Sequence, residues 1–195
     1  MKKKFKLFAT IGSLCLAVAM MTIGVLAATQ ATLNVTSNVG FTATNVTVQF
    51  DAEVAYGENV TYTDTNATKD QDVYTAEANK NSWTSGVIAP DATDAATCTW
   101  NLGDYTFQES AANQTVVYTF KITNKGTNAV KITVANPVAA VTTGEAGTVA
   151  VVEDGSKVSL AKDATYTYTV TVTLVDATMD WAQKTIAPNF TVEKA

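Results

Sequence analysis

The stretch Ala164–Val175, ATYTYTVTVTLV, constrains the fold of this chain more than any other. Tyr166, Tyr168, Val170, Val172 and Leu174 take even positions, and Thr165, Thr167, Thr169, Thr171 and Thr173 take odd ones. A period of two sends the two sets to opposite faces of a pleated strand, whereas a helix would scatter both around its circumference. Thr, Tyr and Val also suit a half-buried pleated surface, so pattern and propensity agree. Ten such residues span roughly 33 Å. One face needs an apolar cover, and the other meets water or another chain.

The rest of the chain repeats this theme. Ala31–Thr36 alternates, with Leu33 and Val35 on one face. Phe41–Tyr56 reads as a second long strand, with Val46, Val48, Phe50, Ala52, Val54 and Tyr56 opposite a polar face. Weak strands near Val60–Thr63 and Asp72–Ala76 flank a polar loop. Trp83, Val87 and Ile88 predict a return to the core before Pro90. Thr97–Leu102 and Asp104–Phe107 read as short strands broken at Gly103. Thr115–Val134 reads as a hairpin turning at Asn124–Asn128, with Gly126 free to take a positive φ. Thr148–Val152 and Lys157–Leu160 read as another around Asp154-Gly155. Asp176–Lys184 reads as a loop or short helix, and Asn189–Glu193 as a closing edge strand.

Helix signals are nearly absent after residue 28. About ten strands separated by turns predict an all-β fold: an antiparallel β-sandwich, Ig-like or jelly-roll-like. Tyr118, Phe120, Ile122, Val170, Val172 and Leu174 are expected in its core. No Pro-Gly linker divides the chain, so residues 28–195 form one expected domain.

Met1–Ala27 reads as a secretory signal helix. Lys2, Lys3, Lys4 and Lys6 precede an uncharged stretch from Leu7 to Ala28. Val25-Leu26-Ala27 puts small residues at −3 and −1, favouring cleavage after Ala27, with Ala28 second. The apolar run is long enough to span a bilayer, so a retained anchor is the alternative. Cys15 follows Leu14, where a lipidation signal needs a small residue.

Without that segment, nine Lys face eighteen acidic residues, a formal charge of −9, with no Arg and no His. Such a surface disfavours nucleic acid and anionic headgroups. Any membrane contact would run through the signal segment, if uncleaved. Cys98 is the single Cys after the signal, so no internal disulfide forms and burial must stabilise the fold.

Tyr118-Thr119-Phe120-Lys121-Ile122-Thr123-Asn124-Lys125-Gly126-Thr127 resembles the strand-turn "Y-x-F-x-I-x-N-x-G" of Ig-like repeats in bacterial surface proteins. A Lys-rich signal followed directly by Thr- and Val-rich strands is similar to Gram-positive secreted β-sandwich proteins of the TasA and camelysin type. The aromatic-Ser-Asp start common after those signals is replaced here by Ala27-Ala28-Thr29-Gln30. The resemblance implies an extracellular structural role, as in a biofilm matrix. The zinc-protease label attached to camelysin does not carry over, because this chain has no His and no HExxH.

The sequence holds no catalytic constellation, so no enzyme activity and no cofactor are expected. A His/Cys metal site is excluded by composition. The acidic loop Asp64–Asp72 departs from the EF-hand pattern, with Lys69 where Gly is needed and Thr75 where Glu belongs. Six N-x-[ST] sequons start at Asn34, Asn45, Asn59, Asn66, Asn113 and Asn189. The expected function is that of a secreted or cell-surface structural or adhesive protein. Its expected partners are itself, as a homo-oligomer or fibre, or a cell-wall or matrix polymer. The alternative is a carbohydrate-binding module that stacks sugar on Trp83, Trp100 and Trp181. Two surfaces suit protein contacts. One is the Thr face of Ala164–Val175. The other is the segment Ala28–Asn38, whose Leu33 and Val35 would anchor strand exchange between copies, in competition with pairing in its own sheet.

Overall fold

The computed structural model describes residues 34–65, 73–108, 114–138, 146–175 and 183–195. The compact unit containing them runs Thr32–Ala195. Twelve strands follow in order: β1 Asn34–Thr44, β2 Val48–Tyr56, β3 Val60–Thr63, β4 Val73–Glu77, β5 Lys80–Thr84, β6 Ala95–Phe107, β7 Gln114–Asn124, β8 Val130–Ala135, β9 Gly147–Asp154, β10 Thr165–Leu174, β11 Lys184–Ile186 and β12 Asn189–Lys194. They form two six-stranded sheets. The first, sheet A, runs β3-β6-β1-β12-β8, with β11 also on β1; the second, sheet B, runs β4-β5-β2-β7-β10-β9. The described residues contain no helix, and the expected signal helix lies outside them.

The long alternating strand sits where its pattern places it. Tyr166, Tyr168, Val170, Val172 and Leu174 are buried, and the intervening threonines are half-buried or exposed. Pairing with β7 sets Val170 opposite Tyr118 and Tyr168 opposite Phe120. Across the sandwich, the Phe41 ring lies 4.5 Å from Phe50 and 5.3 Å from Phe190, which lies 5.7 Å from Phe120 and 5.6 Å from Tyr168. Phe41 and Phe190 belong to sheet A and the other three to sheet B, so these rings join the two layers. Aromatic pairs at such separations add to the burial of their apolar area.

Several expected connections take a different path. Phe41–Tyr56 is not one strand. The chain turns at Asn45, with φ at 52°, and passes from β1 in sheet A to β2 in sheet B. Thr115–Val134 is not a hairpin, because β7 pairs with β2 and β10 while β8 pairs with β12. Gly126 does not take a positive φ. Its value lies in close approach: the Lys125 and Gly126 N–H groups both donate to Thr47 O, at 2.9 and 3.0 Å. Nor does Lys157–Leu160 fold back on β9. It crosses to the outer side of β8, where Leu160 bridges Val130 and the Ile132 N–H donates to Lys157 O. Gly155 serves that crossing. Its φ is 91°, and a Cβ there would meet Thr165 O at 2.6 Å.

Thr97–Leu102 and Asp104–Phe107 merge into β6, interrupted by a bulge in which Leu102 and Gly103 oppose Ser37 alone. The bulge switches the buried set from even to odd positions, from Trp100 and Leu102 to Tyr105 and Phe107. Asn189–Glu193 falls within β12, which is not an edge: it lies between β8 and β1 and runs parallel to β1. Val87 is exposed rather than returned to the core. The expected loop or helix at Asp176–Lys184 lies mostly outside the described residues, and Lys184 itself opens β11.

Asn124 closes β7 and is fully buried. Its Nδ2 donates to Asn128 O at 2.8 Å and to Leu160 O at 2.9 Å, and its Oδ1 accepts from the Gly126 N–H at 2.9 Å. Its main chain also joins the start of β10, donating to Ala164 O and accepting from the Asp163 N–H. Asn124→Ala would strip three hydrogen bonds and leave buried groups unpaired, a loss of about 3–5 kcal/mol. Phe120→Ala, which empties a core position, should cost about the same. Urea denaturation measures both, and a loss below about 1 kcal/mol for either would contradict its placement.

Candidate contact surface and the core behind it

The outward face of sheet B is a grid of short polar side chains. Its register aligns Thr165 with Thr123 and Gln49; Thr167 with Lys121, Asp51 and Thr84; and Thr169 with Thr119, Glu53 and Ser82. Further along, Thr171 meets Val117, and Thr173 meets Thr115. On the other side, β9 sets Thr148, Ala150 and Val152 beside Thr173, Thr171 and Thr169. Neighbouring columns lie about 4.8 Å apart, and successive outward residues about 6.8 Å apart along a strand. Adjacent hydroxyls bond one another, as Thr123 Oγ1 and Thr165 Oγ1 do at 3.0 Å.

A trough of about 250 Å³ crosses this face between Asp51, Glu53, Ser82, Thr84, Thr119 and Lys121. Lys80 sits 3.8 Å from Glu53 and 3.3 Å from Glu77, so the acidic groups are partly offset by cations. A second shallow trough, of about 300 Å³, opens at one end of the sandwich among Asn45, Thr47, Pro90, Thr127 and Asn128. Among the described residues, no cluster of three or more His, Cys, Asp or Glu could hold a metal ion.

Two of the three indoles expected to stack sugar are turned away from the surface. Trp83 and Trp100 are fully buried and point into the core from β5 and β6. Their size makes them fillers here: Trp100 packs edge-on to Phe41 at 5.0 Å, and Trp83 packs against Tyr74 at 5.3 Å. Trp181, Leu33 and most of Asp64–Asp72 lie outside the described residues. Val35 is buried in β1, whose two sides are taken by β6 and β11. Val35 is therefore committed to its own sheet, the competing outcome to strand exchange. Cys98 is half-buried against the core.

One polar constellation inside the sandwich went unrecognised in the sequence. Asn81, buried on β5, accepts from the Tyr74 hydroxyl at 3.1 Å and donates to the Tyr105 hydroxyl at 3.2 Å. Tyr105 in turn donates to Leu102 O at 3.3 Å. Tyr56, Tyr62 and Tyr118 crowd the same ring, at 5.3, 5.2 and 5.7 Å. The available signal was parity, since Asn81 shares the inward side with Trp83 in KNSWT. Burial pushes the phenols of Tyr62, Tyr105 and Tyr118 above their usual range, and neighbouring tyrosines add to it.

No family model and no curated protein matches this chain. Among solved structures, the yeast delta-COP-I mu-homology domain is 9% identical with a TM-score of 0.14, over 83% of this chain and 94% of that one. The same domain complexed with the Dsl1 WxWxV peptide is 10% identical, also with a TM-score of 0.14, over 83% and 95%. Likenesses of that size carry no argument about fold or function.

The phenols yield a pH dependence with a fixed sign. Unfolded tyrosine titrates near 10, and the folded values lie higher. The stability contributed by the neutral phenols is complete below about pH 10 and is lost as pH rises toward the folded values, by up to about 1.4 kcal/mol per unit for each buried group. Melting followed with phenolate absorbance should show ionisation coinciding with unfolding; ionisation of all tyrosines in a still-folded chain would contradict it. Tyr118→Phe should behave differently from other core substitutions. It removes a buried hydroxyl that has no hydrogen-bond partner, so stability should hold or rise by about 1 kcal/mol in a urea titration. A fall of that size would show that the hydroxyl is partnered.

Proposed function

We propose that this chain is a secreted or cell-surface structural and adhesive protein, with an Ig-like or jelly-roll-like sandwich behind a signal helix in residues 1–27. It works without catalysis, by contact with copies of itself or with a cell-wall or matrix polymer, in the manner of Gram-positive biofilm-matrix proteins. The observation carrying this reading is the outward face of sheet B, where threonine hydroxyls and methyls stand in register across β7 and β10. Such a face offers many weak polar and apolar contacts over a broad area, which suits an extended partner better than a small molecule. The Lys-rich start and uncharged run before Ala28 support export. The acidic, Arg-free sequence supports a role away from nucleic acid. The sugar-binding alternative is weakened, since two of its three indoles lie inside the sandwich.

Cell fractionation with intact-mass analysis tests the export. The expected species is found in medium or wall and begins at Ala28; recovery only from membranes with Cys15 retained would favour an anchored protein. The face is tested by Thr169→Lys with Thr171→Lys. Both side chains point outward, so melting should change little while retention on isolated walls or matrix, or self-association, drops about tenfold. A parent chain that neither self-associates nor is retained would overturn the reading.

A further inference from the structure

We infer that β9 is a pairing edge for a second copy of this chain, joined antiparallel about a two-fold axis at Ala150. The inference rests on the contact reading above and names its partner and surface.

Strand edges carry unpaired N–H and C=O groups, and stable monomers usually guard them with lysine, proline, bulges or covering chain. On sheet A, the β8 edge is covered by Lys157–Leu160. On sheet B, β4 is only five residues long and ends on Glu77. The outermost strand at the opposite end, β9, pairs with β10 on one side, and no described backbone group hydrogen-bonds to the main chain on its other side, where Lys157 pairs only with the Glu153 side chain. Its central stretch, Thr148–Val152, contains no charge, no proline and no glycine. Val152 is 62% exposed, among the most exposed large apolar side chains described.

The sequence of β9 favours itself as a partner. Antiparallel pairing must keep inward residues facing inward, and a one-residue slip would reverse every face. Centring the two-fold on Ala150 meets that condition. It sets Val149 opposite Val151 on the inner side, and Val152 opposite Thr148 on the outer side. Glu153 and Asp154 then lie opposite the partner's Gly147 and Ala146, so no like charges meet. Half-buried Val151 and exposed Val152 both gain cover, and the two B sheets become one continuous sheet. An isologous contact of this kind closes on itself as a dimer.

The two-fold makes the test specific, because residue 150 faces its own copy. Ala150 is exposed, so charge there should leave the fold intact. The full chain, held in mild detergent so that its apolar N-terminal stretch stays solvated, is followed by sedimentation at tens of micromolar. The parent should dimerise. Ala150→Lys alone and Ala150→Glu alone should each weaken the dimer about tenfold or more with melting unchanged, since like charges directly opposed repel. Mixing the two variants should restore it. A monomeric parent overturns this edge as a dimer site, while retention on walls would still stand. Self-association indifferent to both variants places the self-contact elsewhere. Variants that weaken it without rescue on mixing overturn the two-fold register.

Discussion

The buried Asn124 amide is the constraint on which the two layers depend. β7 ends there in sheet B, and the next strand, β8, belongs to sheet A. A chain leaving one sheet for the other exposes backbone groups that neither ladder can satisfy, and inside a sandwich an unpaired polar group is costly. Asn124 answers with both ends of its amide. It holds its own turn through Gly126 and Asn128, and it holds Leu160, which lies beside β8. Its backbone fixes Asp163 and Ala164 just before β10 begins. One side chain thus sets the spacing between the crossing after β7 and the crossing before β10. The β7–β10 ladder begins beside this contact, with Thr165 opposite Thr123.

Much of the fold was legible in alternation alone. β3, β7, β8 and β10 fall close to their expected positions, and the six named core residues are buried. Strand partners were not legible, because a period of two reports which side chains point inward but not which sheet a strand joins. Asn124-Lys125-Gly126 and Asp154-Gly155 look like hairpin turns locally, yet both open crossings between sheets. The distinguishing signal was a change of parity. Phe41 and Ala43 face inward at odd positions and Val46 and Val48 at even ones, so the chain between them had to turn. At Gly103 a similar change marks a bulge inside one strand, so parity locates an irregularity without saying which kind it is.

The candidate surface was legible in part. The threonine face came directly from the ATYTYTVTVTLV pattern, but its neighbours Asp51, Glu53 and Lys121 could be placed beside it only once β2 and β7 were paired. The indoles misled because size alone permits two roles. A sandwich interior about 10 Å thick needs bulky side chains to fill it, and Trp83 and Trp100 meet that need. Asn81 was overlooked for the opposite reason. A polar residue at an inward position reads as an error in the pattern until a phenol from each sheet is found bonded to it.

The crossing that Asn124 holds also sets how the β8 edge is covered. After β9 the chain leaves sheet B, lays Lys157–Leu160 along the outer side of β8, and returns at Ala164 to begin β10 one place inward. That excursion covers the β8 edge of sheet A and leaves the outer side of β9 without a strand partner among the described residues. The residues after Asp154-Gly155 lie along β8 instead of doubling back along β9 as a hairpin. The covered edge carries Lys131, whereas the central residues of β9 are uncharged. With the large aromatics turned inward, the outward groups of sheet B are hydroxyls, a few valines and the charged Asp51, Glu53 and Lys121. Under the contact role proposed above, those groups and the backbone of β9 are what another strand or an extended polymer would read.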